Sequence, residues 1–148
     1  MDIYQILKSD HKEVSNLFKK LEDTSDNAGK TRDRIFGKLH DELKAHSSAE
    51  EEMFYPRLKD NASTRDLVAH ALHEHQEVDR MLDEMSSMES ASSEWSKKCK
   101  MLHKMVEDHV KEEENKIFPE AKKILSDDEA KELGKQFKRE EDKMLKSA

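Results

Sequence analysis

Two pairs of histidine and glutamate are spaced in a way that suits metal binding. His46 and Glu50 are four residues apart in the sequence, and so are His109 and Glu113. A spacing of four places both side chains of a pair one turn apart on one face of a helix, so both can reach the same metal ion. Imidazole nitrogens with carboxylate oxygens suit iron, manganese or zinc.

Two further histidines, His11 and His75, each precede one of these pairs. The candidate metal ligands are therefore His11, His46, Glu50, His75, His109 and Glu113. Six ligands suit two ions better than one, because two histidines for each ion and two bridging carboxylates give about four protein donors per ion. Such a site keeps coordination positions open, which predicts chemistry or ligand binding.

The alternative is that these side chains are ordinary buried polar groups. A single histidine on an apolar helix face is more often a core residue with a hydrogen-bond partner. Four of them accompanied by two glutamates would be costly without a metal, since an unpaired buried carboxylate carries a desolvation penalty of several kcal/mol. The pattern therefore favours a metal site.

Four helices have to present these residues, and apolar periodicity predicts them. The first spans about residues 2 to 23 and the second about 30 to 55, the third begins near Ser63, and the fourth runs from about Trp95 to Pro119. In each helix a histidine replaces an apolar residue within the stripe that should face inward. The histidines are therefore expected to point into the interior of the domain.

The chain contains an internal repeat. The segment from Asp10 to Val14 matches that from Glu74 to Val78, and the second helix of each half matches at an offset of 63 residues, from His46 to His109. Two such helical hairpins predict an all-α, up-down-up-down four-helix bundle over residues 1–122, with repeats of about 2–60 and 64–122. A pseudo-twofold axis would bring the six candidate ligands together.

A fifth, amphipathic helix is predicted within residues 123–148. Ser126 and Glu129 have capping-box spacing, and Leu133 and Phe137 form the apolar side of a segment rich in lysine and glutamate. We expect this helix to pack on the outside of the bundle. One alternative function uses it differently: a metal-dependent structural or regulatory module would dock a partner through these two residues.

Composition limits the partners and the location. The 148 residues carry 27 basic and 34 acidic side chains, a net charge of −7, with three glycines and two prolines, which favours helices and gives no basic patch for nucleic acid. There is no apolar run of membrane-spanning length. The single cysteine, Cys99, fits a reducing compartment. We expect a cytoplasmic protein, a monomer or weak homodimer, without nucleic-acid or membrane partners.

The remaining histidines are predicted to lie outside the candidate site. His70 and His73 are about 140° and 200° around the third helix from His75, so both should be at the surface. His40 and His103 occupy matching places in the repeat and are open to either a supporting or an entrance role.

Three other features receive ordinary structural interpretations. Trp95 and Cys99 lie on the inward stripe of the fourth helix, which favours core packing over a redox role. The acidic runs 50–52 and 112–114 each have one inward member. The neighbours of that member are predicted to form a solvated face.

At these residues the chain resembles a hemerythrin-like domain of the HHE cation-binding family, over about residues 2 to 120. The pattern His, His-x-x-x-Glu, His, His-x-x-x-Glu is present, and the endings 54–56 and 117–119 also resemble that family. The resemblance implies a non-haem centre of two iron ions, oxo- or hydroxo-bridged, with manganese or zinc less favoured. It also implies O2, peroxide or nitric oxide as the small ligand.

The sequence departs from the oxygen-carrying hemerythrins at two positions. Those proteins have a further histidine one turn before the third-helix ligand and an aspartate in the fourth-helix motif, where this chain has Ala71 and Glu113. The resemblance therefore favours a di-iron protein that binds, senses or reacts with these ligands, in stress response or iron handling. Reversible oxygen carriage or storage is the alternative. A ferritin-type oxidase or a zinc hydrolase is less favoured, because Glu-x-x-His and His-Glu-x-x-His are absent.

Overall fold

The computed structural model describes residues 1–148 and contains helices and their connections, with no strand. None of these helices is long and apolar enough to cross a membrane. The six α-helices are α1 (Ile3–Glu22), α2 (Gly29–Ala49), α3 (Arg65–Ser86), α4 (Ser93–Glu112), α5 (Phe118–Ile124) and α6 (Asp127–Ser147).

Side-chain caps fix where several helices begin. The Asp2 side chain accepts a hydrogen bond from the backbone N–H of Gln5, and the Gln5 side chain accepts one from the backbone of Asp2. Ser126 and Glu129 form the same reciprocal pair at the start of α6, as their spacing predicts. Each capping box satisfies two backbone donors that the first helical turn leaves unpaired.

Apolar side chains form two separate clusters along the bundle. Which end of each helix lies in which cluster shows that consecutive helices run antiparallel. The first cluster contains the beginnings of α1 and α3 and the segments that follow α2 and α4; the second contains the opposite ends. The fold is thus an up-down-up-down four-helix bundle with an additional C-terminal helix, and the predicted fold class is confirmed. A layer of buried polar residues separates the two clusters.

Two π-helical turns continue α2 and α4 at matching places in the repeat. They span Glu50–Phe54 and Glu113–Ile117, and a 3-10 turn, Tyr55–Arg57, follows the first. In each turn the backbone N–H five residues after the glutamate donates to that glutamate's carbonyl oxygen. Widened turns of this type often occur at functional sites.

The C-terminal helix α6 packs against α1 and α2. Leu133 and Phe137 are 2% and 0% exposed, and both belong to the first core cluster. The chain itself covers these two side chains, so they are not the surface through which α6 would contact a partner. Gly134 permits this close packing, since a Cβ atom there would lie 2.7 Å from the carbonyl oxygen of Met1.

Candidate metal centre

The six candidate ligands meet in the polar layer between the two core clusters. His11 comes from α1, His75 from α3, and the other four from the ends of α2 and α4 and the π-turns that follow. The histidines are 4–8% exposed and both glutamates 0% exposed. The antiparallel bundle brings all six to one level, as the repeat predicts.

Each glutamate contacts histidines from both halves of the chain. Glu50 Oε1 lies 3.2 Å from His46 Nε2 and 3.3 Å from His75 Nε2. Glu113 matches it, with Oε1 3.1 Å from His11 Nε2 and Oε2 3.7 Å from His109 Nε2. Both carboxylates are therefore placed to bridge two ions.

The ligand atoms divide into two groups that could each hold an ion. His11, His46 and Glu113 form one group, and Glu50, His75 and His109 form the other, with the donor atoms in each group within 4.8 Å of one another. We call the position between His11 and His46 the first metal position, and that between His75 and His109 the second. Each half of the repeat thus supplies both histidines of one position.

Several donor atoms in this cluster have no hydrogen-bond partner. They are His11 Nε2, His46 Nε2, both carboxylate oxygens of Glu50 and Glu113 Oε1. In the second group, His75 Nε2 lies only 3.1 Å from His109 Nε2. Unpaired buried polar atoms are costly, and two imidazole lone pairs at that distance need a cation or a proton between them. The residues present therefore fit two bound metal ions.

A ring of four outer carboxylates orients the histidines. In each of the four candidate-ligand histidines, Nδ1 lies 2.6–2.9 Å from a carboxylate oxygen. The pairs are His11 with Glu114, His46 with Asp10, His75 with Glu51 and His109 with Glu74. Because an ionised carboxylate only accepts, each imidazole donates from Nδ1 and turns the lone pair of Nε2 inward.

The ring links each helix to the next and then closes. The four contacts run from α1 to α2, from the turn after α2 to α3, from α3 to α4, and from the turn after α4 back to α1. All four carboxylates directly adjoin a candidate ligand in sequence. Each therefore supports the ligand of a neighbouring helix and not its own.

The ring adds a role to residues predicted on a solvated face. Glu51 is exposed there as expected and Glu114 is partly exposed, yet their carboxylates also contact His75 and His11. Asp10 and Glu74 were not singled out at all. A signal was present in the repeat, because an acidic residue precedes His11 and His75 and follows Glu50 and Glu113.

In the metal-free protein these contacts shift the ionisation of the buried groups. Burial alone would lower the pKa of His11, His46 and His75, but the neighbouring carboxylates outweigh this effect. They raise the pKa of His11, raise that of His46 further, and raise that of His75 to about 9. Burial would raise the pKa of Glu50, yet the His46 charge and hydrogen bonds hold it well below its ordinary value. Protons would therefore compete with metal ions for the Nε2 atoms of these three histidines.

The two halves of the centre are not identical. Tyr55 Oη donates a hydrogen bond to Glu113 Oε2 at 2.5 Å, whereas Phe118 occupies the matching place in the other half. Burial and the nearby Glu113 and Glu50 charges raise the pKa of the Tyr55 phenol well above its ordinary value. Tyr55 therefore remains a hydrogen-bond donor to one of the two buried glutamates of the cluster.

A small cavity adjoins the inner faces of the histidines. Its volume is about 30 Å³, enough for about one or two molecules the size of water. Aliphatic side chains one turn away from the histidines form the side facing the second core cluster: Val14, Leu43, Val78 and Val106. The cavity therefore suits a small, weakly polar ligand.

A recess of about 190 Å³ lies between α1 and α4, outside this cavity. The recess and the cavity share the lining residues His11, Val14, Val106 and Val110. His103 lines the recess, stacked on Phe18 with ring centroids 4.5 Å apart. Of the two roles left open for His103, the structure favours an entrance position, because its Nδ1 pairs with Glu22 and not with a ligand.

The other singled-out residues lie apart from the cluster. His70 and His73 have side chains 55% and 60% exposed, which confirms their surface placement. His40 is partly exposed and pairs with Asp41, so it supports no ligand. Trp95 and Cys99 are 1% and 3% exposed in the second core cluster, which confirms their packing role.

Three comparisons bear on this fold and site. The chain matches two longer curated relatives. A DNA nickase of Nostoc is 28% identical over 141 residues, which make up 93% of this chain and 38% of the relative. An uncharacterized hemerythrin-like protein of Schizosaccharomyces pombe is 30% identical over 100 residues, 66% of this chain and 49% of the relative. The matched region thus covers less than half the length of either relative.

The crystal structure of a hemerythrin HHE cation-binding domain-containing protein of Mycobacterium kansasii has the same fold. Its TM-score is 0.87 at 24% identity, over 99% of this chain and 89% of the other. The family described as Hemerythrin HHE cation binding domain matches residues 2–121, which include all six candidate ligands. The predicted resemblance is confirmed: this chain belongs to the hemerythrin HHE cation-binding domain family.

Proposed function

We propose that this protein binds two iron ions and uses them to bind, sense or react with O2, peroxide or nitric oxide. His11 and His46 would hold the ion at the first position, and His75 and His109 the ion at the second. The observation that carries the proposal is the inward direction of four imidazole lone pairs, fixed by the outer carboxylates, beside a small cavity.

The protein's own groups would have three tasks at this centre. The histidines and bridging glutamates bind the ions, and the outer ring keeps the imidazoles in one tautomer. Bound iron supplies the redox chemistry and the open coordination positions that such ligands require. The aliphatic wall, with Val14 and Val106, excludes bulk water from the ligand side.

Cavity size and depth select the ligand class. A space of about 30 Å³ accommodates a diatomic molecule or peroxide, but not an organic substrate. The Nostoc relative is named a DNA nickase. We do not extend that activity to this chain, because a phosphodiester backbone would have to reach glutamates that are 0% exposed. Loaded protein should leave supercoiled plasmid uncut.

The test is anaerobic loading of the metal-free full chain with ferrous iron, followed by elemental analysis. We expect about two irons per chain, and near-ultraviolet bands that appear on exposure to air and respond to nitric oxide. Binding of far fewer than two irons by the wild-type chain would defeat the proposal.

Reversible oxygen carriage is the second candidate, and Ala71 weighs against it. This residue is 1% exposed, one turn before His75, where the resemblance to oxygen carriers would place another imidazole. No other histidine replaces it, since His70 is directed to the surface and pairs with Glu112. Repeated oxygenation without consumption of peroxide would favour carriage.

A further inference from the structure

A glutamate of α6 reaches the outer ring at one point. Glu141 is 2% exposed, and its carboxyl oxygens lie within 4.8 Å of both Asp10 and the Nδ1 side of His46. Glu141 Oε2 lies 3.9 Å from His46 Nδ1 and has no hydrogen-bond partner, while Oε1 lies 3.8 Å from the exposed Lys138 Nζ. At this separation a carboxyl group of Glu141 that carries a proton can donate to Asp10, whose carboxylate already accepts from His46.

The second half of the bundle has no such residue. Glu74, which occupies the place of Asp10, has the exposed His70 beside it at 3.8 Å. The repeat ends before α6, so nothing equivalent to Glu141 can face the second metal position. Asp10 is therefore held by a buried partner, whereas Glu74 has only a solvent-exposed one.

We propose that Glu141 is a positioning residue of the metal centre, acting through Asp10 on His46, and that α6 thereby makes the first metal position unlike the second. This inference rests on the proposed binding of two ions. Its physical basis is orientation, because a fixed Asp10 carboxylate fixes the imidazole plane and the direction of the Nε2 lone pair. Other contacts of α6 with this histidine are apolar, such as Phe137 at 5.8 Å between ring centroids.

Two substitutions of similar size separate hydrogen bonding from packing. Glu141→Gln keeps a donor that can reach Asp10, whereas Glu141→Met fills the same space without one. Glu132→Met, at an exposed site on the same helix, is the control. The probe is Co²⁺ alone, titrated into the metal-free full chain and followed by calorimetry and by its visible absorption.

The wild type and Glu132→Met should each bind two Co²⁺. In Glu141→Met one ion should bind as in the wild type and the other about 10–100-fold more weakly, the effect typical of outer ligand-orienting groups. Glu141→Gln should stay close to the wild type. Identical behaviour of the Met and Gln variants, or equal weakening of both ions in the Met variant, would overturn the proposal.

A double-mutant cycle shows whether Glu141 acts through Asp10. Asp10→Asn should weaken the same ion, and adding Glu141→Met to it should cause little further loss. Combined with Glu74→Gln, Glu141→Met should instead weaken both ions. Losses that multiply in the Asp10→Asn background would contradict the relay. A wild-type chain that fails to bind two Co²⁺ would count against the proposed function itself.

Discussion

Tyr55, in the first half of the bundle, donates a buried hydrogen bond to Glu113 in the second half, with 2.5 Å between the phenol oxygen and the carboxylate oxygen. The π-turn explains how Tyr55 arrives there. In a regular α-helix a residue five positions after Glu50 would lie about 140° around the axis, but the widened turn brings it nearly to the same side. One irregular turn therefore positions both a candidate ligand, Glu50, and the hydrogen-bond donor to the other buried glutamate.

Replacing Tyr55 with phenylalanine should destabilise the metal-free protein. The change leaves a buried carboxylate without its donor, at about 1–3 kcal/mol, which corresponds to a Tm lower by roughly 3–10 °C. Thermal unfolding followed by circular dichroism measures this. Tyr4→Phe is the matched control, because Tyr4 Oη is buried without a partner and its removal should not lower the Tm. Equal losses in both variants would contradict this role.

The acidic neighbours of the ligands show where sequence reasoning stopped. Helical spacing and the repeat were enough to identify the six residues that the structure brings together. Adjacent residues on a helix point about 100° apart. Asp10 and Glu51 therefore point away from the metal centre towards which the adjacent ligands, His11 and Glu50, are directed, and from the sequence they look like solvent-exposed residues. The residue that each of them contacts depends on how the next helix packs, and the spacing of residues within one helix does not predict that packing.

Metal-free protein should lose stability as the pH rises from 6.5 to about 9. His75 has a folded pKa of about 9 against 6.5, so its contribution is complete below pH 6.5 and is lost as the pH passes through the folded pKa. Burial beside Asp10 raises the pKa of Glu141 from 4.5 to about 9. Between these two values the folded chain keeps the Glu141 proton and the unfolded chain has released it, so Glu141 also lowers stability as the pH rises.

At acidic pH the stability of the metal-free protein should depend on pH in the opposite direction, so that it falls as the pH is lowered. The pKa of Glu50 is held well below 4.5, so its stabilising contribution is present above that value and is lost on acidification. Melting temperatures across both ranges test the two limits. Loaded protein should show a flatter profile on the alkaline side, since metal replaces protons at the histidines. A metal-free Tm that increases from pH 6.5 to 9 would refute the assignment.

Removing both metal ions should lower the melting temperature by roughly 10–20 °C, if each ion is present at about 100 times its dissociation constant, because each such site contributes about 2.7 kcal/mol. The reason is that metal-free protein retains unpaired buried nitrogens and oxygens. His46→Ala and His109→Ala should each reduce both the metal content and the effect of a chelator. His40→Ala, outside the cluster, should leave both unchanged. An identical melting curve after verified metal removal would show that the cluster does not depend on metal.

Access to the cavity should depend on Val110, which lines both the cavity and the outer recess. Val110→Phe should slow the association of nitric oxide or azide with iron-loaded protein by roughly tenfold, because the added ring fills closely packed space. Iron content should not change. Met101→Phe, at an exposed position of α4, is the control and should bind at the wild-type rate. Unchanged kinetics in Val110→Phe would place the entrance elsewhere.

Cys99 should be inert to thiol reagents in the folded protein. Its side chain is buried, and burial raises the pKa of the thiol to about 11, so little thiolate forms near neutral pH. Labelling should therefore follow global unfolding when the denaturant concentration is increased. Fast labelling of native protein would be inconsistent with this packing.

The π-turns and the burial of Glu141 could not be predicted from the sequence, for different reasons. The π-turns at Glu50 and Glu113 have no signal in apolar periodicity, since one extra residue in a turn changes the phase without changing the residue types. Glu141 belongs to a helix rich in lysine and glutamate, where a single buried acid looks like its exposed neighbours. Its burial results from where α6 lies, which is a tertiary property.

The closed ring of carboxylates also bears on how such a chain can arise. Each hairpin makes one link within itself, such as Asp10 to His46, and gives one link to the other hairpin, such as Glu51 to His75. Two identical copies of a single hairpin, related by a twofold axis, would close the same ring. Gene duplication can therefore fuse such a dimer into one polypeptide without inventing a ligand. Tyr55 is then a position at which the two halves differ, and Glu141 lies outside the repeat, on α6.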